Sequence, residues 1–273
     1  MIYLLAISVF PLAFSVAIAF TSWESGVAPE FVGLANFVTL SGDSRFWGAI
    51  ETTFLLVLAG LSIELCLGLM IALFLNKEFR GIKLLRGIML TPMMLPAVTI
   101  GMTFTMLLNY YRGPANYFLS IVGLGSVQWL SRYPNALYSI ILVNAWQWTP
   151  FTVAVLLAGL QSLPVEPQEA ARVDGASSLQ ILRKVTLPML FPVILAVLLL
   201  RSIDAFKLFD VVFVLTGGGP ATSTETATLY TYLLGWTFFR FGYASAASFV
   251  LLFILSITLL IFIRVVRSRG SSA

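Results

Sequence analysis

Six long apolar segments dominate this 273-residue chain and leave little freedom in what it can fold into. A helix needs about 20 predominantly apolar residues to cross the hydrocarbon core of a bilayer. Segments of that length occupy residues 2–22, 49–76, 87–109, 136–160, 187–216 and 243–266. Charged residues make up only 10% of the chain, against about a quarter in a soluble domain. The apolar surface must therefore face lipid, and we predict an all-α membrane protein with six transmembrane helices in one domain, residues 1–273.

Composition also excludes several functions. The chain has no histidine, which is the commonest general base and metal ligand. Its single cysteine, Cys66, cannot form an internal disulfide. We find no clustered acid–base set and expect no metal site, which argues against a membrane-embedded enzyme. The first 20 residues lack a basic leading region and a small-x-small cleavage site, so we interpret them as a membrane helix and not as a signal peptide.

The distribution of basic residues predicts the orientation. One set of connections between the apolar segments carries most of them: Lys77, Arg80, Lys83, Arg86, Arg172, Arg183, Lys184, Arg264, Arg267 and Arg269. The opposite set carries only Arg45, Arg112, Arg132 and Arg240. Because cytoplasmic connections are enriched in Lys and Arg, we predict that both termini and residues 164–186 are cytoplasmic. This topology accounts for the net charge of +4 without nucleic-acid binding.

Residues 164–186 are predicted to form two short helices around a turn. Pro164 and Pro167 suit a helix start, where a missing N–H is tolerated. Gly175 permits a positive φ and therefore a sharp break. The second helix is expected to begin near residues 176–178 and to end at Lys184, with apolar residues on one stripe at Leu179, Leu182 and Val185. From these residues alone the segment is either a solvated interhelical loop or a docking element for another protein.

The spacing within this segment is more specific than its composition. It reads Glu169-Ala170-Ala171, three residues, Gly175, nine residues, Val185-x-Leu187-Pro188. The pattern resembles the EAA loop of binding-protein-dependent ABC import permeases, in which isoleucine usually stands at the position of Val185. The resemblance implies the type I importer permease fold and a coupling loop at residues 164–186. It also implies that the loop contacts an ATPase subunit through Glu169, Ala170, Ala171, Asp174, Gly175, Leu187 and Pro188.

Ionisable residues inside the apolar segments are functional candidates, because a charge within the bilayer is unfavourable. Glu64 lies in the second segment, and the fifth carries Arg201, Asp204, Lys207 and Asp210 in alternating sign. Steps of three residues drift around a straight helix, so the series cannot line one face. The series is either a self-neutralising ladder, with Glu64 pairing Arg201, or a set of substrate contacts.

The fourth segment carries a polar and aromatic cluster around Pro150. Aromatic rings pack on the apolar face of a sugar and side-chain amides bond its hydroxyls, so this cluster suits a carbohydrate. The alternative is an aromatic belt at the membrane interface. We predict a substrate pathway lined by Asn144, Trp146, Gln147, Trp148, Phe151, Asp204, Lys207 and Asp210. Pro92 and Pro96 predict a broken helix in the third segment.

Motifs outside the EAA loop are similar to those of maltose-type sugar permeases. They are FVGLANF at residues 31–37, WTPF at 148–151, DAFKLFD at 204–210 and the Gly-Gly-Gly-Pro of LTGGGPATSTET at 215–226. The last of these lacks the Lys-Ser/Thr of a phosphate-binding loop. The resemblance therefore covers nearly the whole chain and implies a sugar importer that works by alternating access.

The same resemblance implies a set of partners. They are a second homologous permease, two ATP-binding subunits and an extracytoplasmic solute-binding protein, in the inner membrane of a bacterium or archaeon. The ATPase subunits would bind ATP and magnesium, so we expect no cofactor and no catalysis in this chain. Two alternatives stay open: a permease with the same EAA loop for a non-sugar solute, and an ion-coupled secondary transporter that uses Glu64 and Asp204 as proton carriers.

Overall fold

A computed structural model describes the backbone of residues 2–270 and the side chains of residues 7 and 9–264. The predicted domain 1–273 includes residues 1 and 271–273, which lie outside the described residues, as do the side chains of Arg267 and Arg269. Within the described part no strand forms beyond one isolated bridge. The helices are α1 (Ile2–Ala19), α2 (Ala35–Ser41), α3 (Ser44–Leu75), α4 (Ile82–Met94), α5 (Ala97–Leu107), α6 (Pro114–Ile121), α7 (Asn135–Ser162), α8 (Glu166–Val173), α9 (Ser178–Ile181), α10 (Leu187–Ala205), α11 (Asp210–Leu215), α12 (Ala227–Tyr232) and α13 (Phe241–Gly270).

Four helical stretches are long and apolar enough to cross a membrane: Ser44–Leu75, Asn135–Ser162, Ser178–Ala205 and Phe241–Arg264. The bent pair α4–α5 makes a fifth. Within the residues whose side chains are described, α1 contributes the shorter apolar stretch Val9–Ala19. The predicted count of six therefore stays a prediction.

Helix α3 packs along α7, and glycines set how closely these helices approach. A Cβ on Gly68 would lie 2.5 Å from the side chain of Thr152, and one on Gly60 would lie 3.7 Å from that of Asn144. These pairs show that α3 and α7 run in the same direction. A Cβ on Gly159 of α7 would lie 2.8 Å from Val193 of α10, while Trp148, earlier in α7, meets Arg201, later in α10. Helix α10 therefore runs in the opposite direction to α7. The connections rich in basic residues and those poor in them consequently lie at opposite ends of the bundle.

The third predicted span is broken, as its two prolines led us to expect. Helices α4 and α5 meet at an angle of 95°. At the break, Leu95 and Pro96 have ψ values of 140° and 137°. Leu95 precedes a proline, and such a residue favours this extended backbone. The two halves of this span therefore point in different directions, and only α5 packs against α11, where a Cβ on Gly101 would lie 2.8 Å from Val214.

The fifth predicted span, 187–216, does not form one helix. The helix ends at Ala205, and residues 210–215 form the separate helix α11. The carbonyls of Phe206 and Leu208 accept hydrogen bonds from the hydroxyls of Thr228 and Thr226, at 3.3 and 3.0 Å. Because a later segment satisfies these carbonyls, the chain can leave the helix here without burying unpaired backbone groups.

Candidate functional site

The predicted coupling loop forms the expected helix and glycine break. Pro167 lies in the first turn of α8, and Glu166 and Glu169 place negative charge there, which the helix dipole favours. Gly175 has a φ of +78°, and the Ala176 N–H donates to the Ala171 carbonyl at 2.9 Å. These are the features of a Schellman C-cap, in which glycine is preferred because of its positive φ.

The second half of the loop differs from the prediction. A helix does begin where expected, with Ser177 as its cap in a capping box with Gln180. It does not end at Lys184, because a π-helical stretch, Leu182–Thr186, carries it into α10. A prediction from charge placed a helix end at the basic pair, whereas the backbone bonds continue through it. The coupling loop and the fifth span therefore share one continuous helix, Ser178–Ala205.

Much of the loop surface is exposed. Glu169, Ala170, Asp174, Gly175 and Pro188 are exposed, while Ala171 and Leu187 are half-buried. Apolar side chains are exposed on the same segment, with Val173 at 87% and Leu179 at 54%. A charged helix flanked by exposed apolar groups and a glycine turn presents a surface suited to contact with another protein.

A buried ion pair joins α3 to α10 inside the bundle. The Arg201 guanidinium donates to both carboxylate oxygens of Glu64, at 2.8 and 3.0 Å. Each side chain is only 2% exposed. Of the two alternatives for Glu64, the structure therefore shows pairing with Arg201. The pairing removes both groups from direct contact with a substrate in this conformation. Bidentate geometry is the strongest arrangement for such a pair.

Three of the predicted pathway residues surround this ion pair. The Trp148 ring lies under the Arg201 guanidinium, 4.4 Å from ring centroid to Cζ, a cation–π geometry. The Asn144 amide lies 3.4 Å from the Glu64 carboxylate and donates to it. Asp204 is 54% exposed and lies 3.7 Å from Arg201. The structure thus brings Asn144, Trp148 and Asp204 together around Glu64 and Arg201.

The other predicted pathway residues of the fourth span are Trp146, Gln147 and Phe151. Trp146 projects from another face of α7, packs edge-on against Phe104 at 5.3 Å and lines an apolar cavity of about 430 Å³ with Pro92 and Pro150. Gln147 is buried, and its Oε1 has no hydrogen-bond partner among the described residues. Phe151 is half-buried. The fourth-span cluster is therefore divided between two faces of its helix.

The charge series of the fifth span is also divided. Arg201 and Asp204 lie in α10, whereas Lys207 lies in the break that follows it and Asp210 opens α11. The side chains of Lys207 and Asp210 are exposed and form no ion pair within the described part of the chain. We had expected the series to drift around one straight helix. That expectation is wrong, because the helix stops at Ala205.

A polar cluster that the sequence did not predict lies at the other end of the bundle. Arg45, at the start of α3, forms a bidentate pair with Glu225, at 2.8 and 2.7 Å. Glu225 belongs to the Gly-Gly-Gly-Pro loop and is 2% exposed. Asp43 caps α3 and accepts hydrogen bonds from the hydroxyls of Tyr230 and Tyr243. The sequence Asp-Ser-Arg-Phe at residues 43–46 could have indicated the cap of α3, since aspartate is a preferred helix cap.

The hydrogen bonds of this outer cluster also set its charge. Burial disfavours ionisation of Asp43, but the two tyrosine hydroxyls and the backbone N–H groups of Phe46 and Arg45 outweigh it, and its pKa lies below the ordinary value. Burial and the bond to Asp43 raise the pKa of Tyr230. Asp43 is therefore an anion and Tyr230 a neutral donor at neutral pH. The cluster holds the Gly-Gly-Gly-Pro loop against α3.

We expect Arg45→Met to loosen this loop. The change leaves the buried Glu225 carboxylate without its partner, and an unsatisfied buried polar group is unfavourable by about 1–3 kcal/mol. Thermal unfolding of the purified protein in detergent should occur at a lower temperature than for wild type. Arg132→Met is the matched control, since Arg132 is exposed at the same end of the bundle and forms no ion pair with any residue that the structure describes. Equal unfolding temperatures for the two variants would contradict the role of the pair.

The structure is thus an all-α membrane protein with a bent span, an exposed interhelical loop and a buried ion pair. Residues 64–269 match the family described as the binding-protein-dependent transport system inner membrane component. The protein belongs to this family and is a multi-pass inner-membrane component of an ABC transport system.

Relatives and a solved structure agree over nearly the full length. The trehalose/maltose transport system permease protein MalF of Thermococcus litoralis is 38% identical over 243 residues, 88% of this chain and 81% of that protein. The sulfoquinovosyl glycerol transport system permease protein SmoG of Agrobacterium fabrum is 33% identical over 270 residues, 98% and 88% of the two chains. A chain of the bacterial alginate ABC transporter, in complex with an alginate pentasaccharide-bound periplasmic protein, has a TM-score of 0.84 at 25% identity, covering 96% and 89%. The predicted all-α importer fold is confirmed.

Proposed function

We propose that the chain is the non-catalytic permease subunit of an ATP-driven importer that carries a sugar into the cytoplasm. One observation carries the mechanism: the helix Ser178–Ala205 is continuous from the exposed coupling loop to the buried Arg201. At a rise of 1.5 Å per residue, its 28 residues span about 42 Å. A displacement imposed at the loop is thereby transmitted to the middle of the bundle as the motion of one rigid element.

The coupling surface would be the part of the chain that contacts an ATPase subunit and moves when that subunit changes conformation. We propose that Glu169, Ala170, Ala171, Asp174 and Gly175 dock in a cleft of that subunit, with Leu187 and Pro188 joining the loop to the helix. ATP and magnesium would be bound by two such partner subunits. A second permease would complete the pathway, and an extracytoplasmic binding protein would deliver the solute. The names of relatives support the carbohydrate class, since trehalose/maltose and sulfoquinovosyl glycerol systems are among them.

The substrate surface would be the face of α7 that carries polar and aromatic side chains together. Residues 144, 147, 148 and 151 follow the i, i+3, i+4, i+7 spacing of one helix face. An aromatic ring with amides beside it offers a sugar both an apolar platform and hydrogen bonds. Asp204 is adjacent and exposed. Trp146, Lys207 and Asp210 would contact the solute at other levels of the pathway.

The test is ATP-dependent uptake by the complex reconstituted in liposomes with its permease, ATPase and binding-protein partners. We expect hydrolysis and uptake to rise together with the binding protein and one of a panel of radiolabelled sugars, and to be unaffected by an uncoupler. Uptake that proceeds without the ATPase and stops with the uncoupler would favour an ion-coupled transporter instead. Stimulation by an amino acid or peptide alone would retain the importer and exclude the sugar.

A further inference from the structure

The Glu64–Arg201 pair lies beside the proposed sugar surface without being part of it. Both residues are about 1% exposed, so neither reaches a solute in this conformation. Their neighbours are different, because Trp148 is half-buried and Asp204 is exposed. The pair touches each of these residues, and also Asn144. A group that cannot contact the solute can still act through those that do.

We propose that the Glu64–Arg201 ion pair is a positioning element that fixes how Trp148 and Asn144 are presented to the sugar. This inference rests on the proposed function. The pair determines the ring plane and the amide orientation on α7 from two other helices, α3 and α10.

The first contact fixes the ring. Glu64 holds the Arg201 guanidinium in one plane through two hydrogen bonds, and the guanidinium covers one face of Trp148 at 4.4 Å. One face of the indole is thus occupied by protein and only the other is left for a ligand. A desolvated cation–π contact is strong enough to hold a tryptophan rotamer.

The second contact fixes the amide. The Asn144 Nδ2 donates to Glu64, and the Asn144 Oδ1 accepts no hydrogen bond from the described chain. Asn144 is itself only 5% exposed in this conformation. Its acceptor matches the hydroxyl donors of a sugar and would reach one only in a conformation that opens this face of α7. Without the Glu64 carboxylate the amide could rotate and present either group.

The third observation places the pair on the moving element. Arg201 belongs to the continuous helix that begins at the coupling loop, whereas Trp148 and Asn144 belong to α7. A shift of α10 relative to α7 changes the guanidinium–indole contact. The pair would consequently tie the geometry of the sugar surface to the state of the coupling loop.

The experiment separates positioning from simple stability. In the variant Glu64→Leu/Arg201→Met, apolar groups of similar length replace a buried ion pair, a change that many proteins tolerate in stability. The full complex, with its binding protein, is reconstituted and supplied with radiolabelled trehalose and maltose as probes. We expect normal assembly and normal sugar-independent ATP hydrolysis, but maximal uptake lowered about tenfold.

The decisive comparison adds Trp148→Leu to both backgrounds. If the pair acts through the ring, Trp148→Leu lowers maximal uptake about tenfold in the wild type and less than about twofold in the double variant, because the positioned ring is already lost. Independent effects that multiply would overturn the proposal, and so would wild-type uptake by the double variant.

The matched control is Ser62→Ala/Ser202→Ala on the same two helices. Both hydroxyls bond their own helix backbone and line an apolar crevice between α3, α10 and α13, away from Trp148. This variant should transport as wild type does. Failure of the proposed function is distinguishable, since the wild type itself would then take up no sugar of the panel, trehalose and maltose included.

Discussion

Glu64→Leu should destabilise the protein by about 3–5 kcal/mol, because it leaves the Arg201 guanidinium buried without its partner. Arginine cannot shed its charge by losing a proton. Asp204 is the other carboxylate near it, at 3.7 Å and with more than half of its side chain exposed. We expect the variant to accumulate poorly in membranes and to unfold at a markedly lower temperature in detergent.

The measurement is thermal unfolding of the purified protein, followed by tryptophan fluorescence. Glu51→Leu provides the control, since it removes the same charge from an exposed position of the same helix. The double variant Glu64→Leu/Arg201→Met should recover most of the lost stability, because no unpaired charge remains. A single variant as stable as the control would show that the buried pair is not the contact that joins α3 to α10.

The sequence predicted those parts of the fold that follow from local chemistry. Apolar length located the long helices, and Pro96 located the bend in the third span, since a residue preceding proline is held extended. Gly175 and the charges of its helix predicted the first half of the coupling loop, whereas the predicted helix end at Lys184 was wrong. Each of these features depends on residues close together in the chain. Which end of the bundle is cytoplasmic stays a prediction from the Lys and Arg distribution.

Two of the errors came from partners distant in the chain. The end of α10 at Ala205 depends on Thr226 and Thr228, about 20 residues further on, which bond the carbonyls of Leu208 and Phe206. No local signal separates that end from a continuing helix. The Arg45–Glu225 pair joins residues 180 positions apart. The division of the fourth-span cluster between two faces could have been predicted, because helical periodicity puts Trp146 on a different face from Asn144 and Trp148.

The continuity between the loop and α10 changes what the EAA pattern means physically. Two short helices around a turn could move independently of the bundle. Instead, the basic pair lies in a π-helical stretch, Leu182–Thr186, which continues directly into the span. A π-helical turn is a rare element that is frequent at functional positions. Only the turn at Gly175 is left as a hinge between α8 and the long helix.

Gly175→Asp should therefore uncouple ATP hydrolysis from transport while the permease still folds. Gly175 has a φ of +78° and a Cβ there would meet no atom within 4 Å, so the substitution strains the turn without a clash. Aspartate tolerates this backbone region better than most residues. The added carboxylate lies beside Asp174, in the surface proposed to dock on the ATPase, where like charges repel. We expect sugar-stimulated hydrolysis to fall at least about tenfold, with the unfolding temperature of the permease nearly unchanged.

The comparison that isolates docking from backbone strain is Gly175→Asn. Asparagine also adopts a positive φ, is nearly the same size and adds no charge. If charge at the docking surface is responsible, Gly175→Asn keeps most of the sugar-stimulated hydrolysis and Gly175→Asp loses it. Equal loss in both would assign the effect to the turn itself and to the angle between α8 and the helix Ser178–Ala205. Full stimulation in both would remove Gly175 from the coupling surface and leave the exposed face of α8, with Glu169 and Val173, as the part of the loop to which an ATPase must bind.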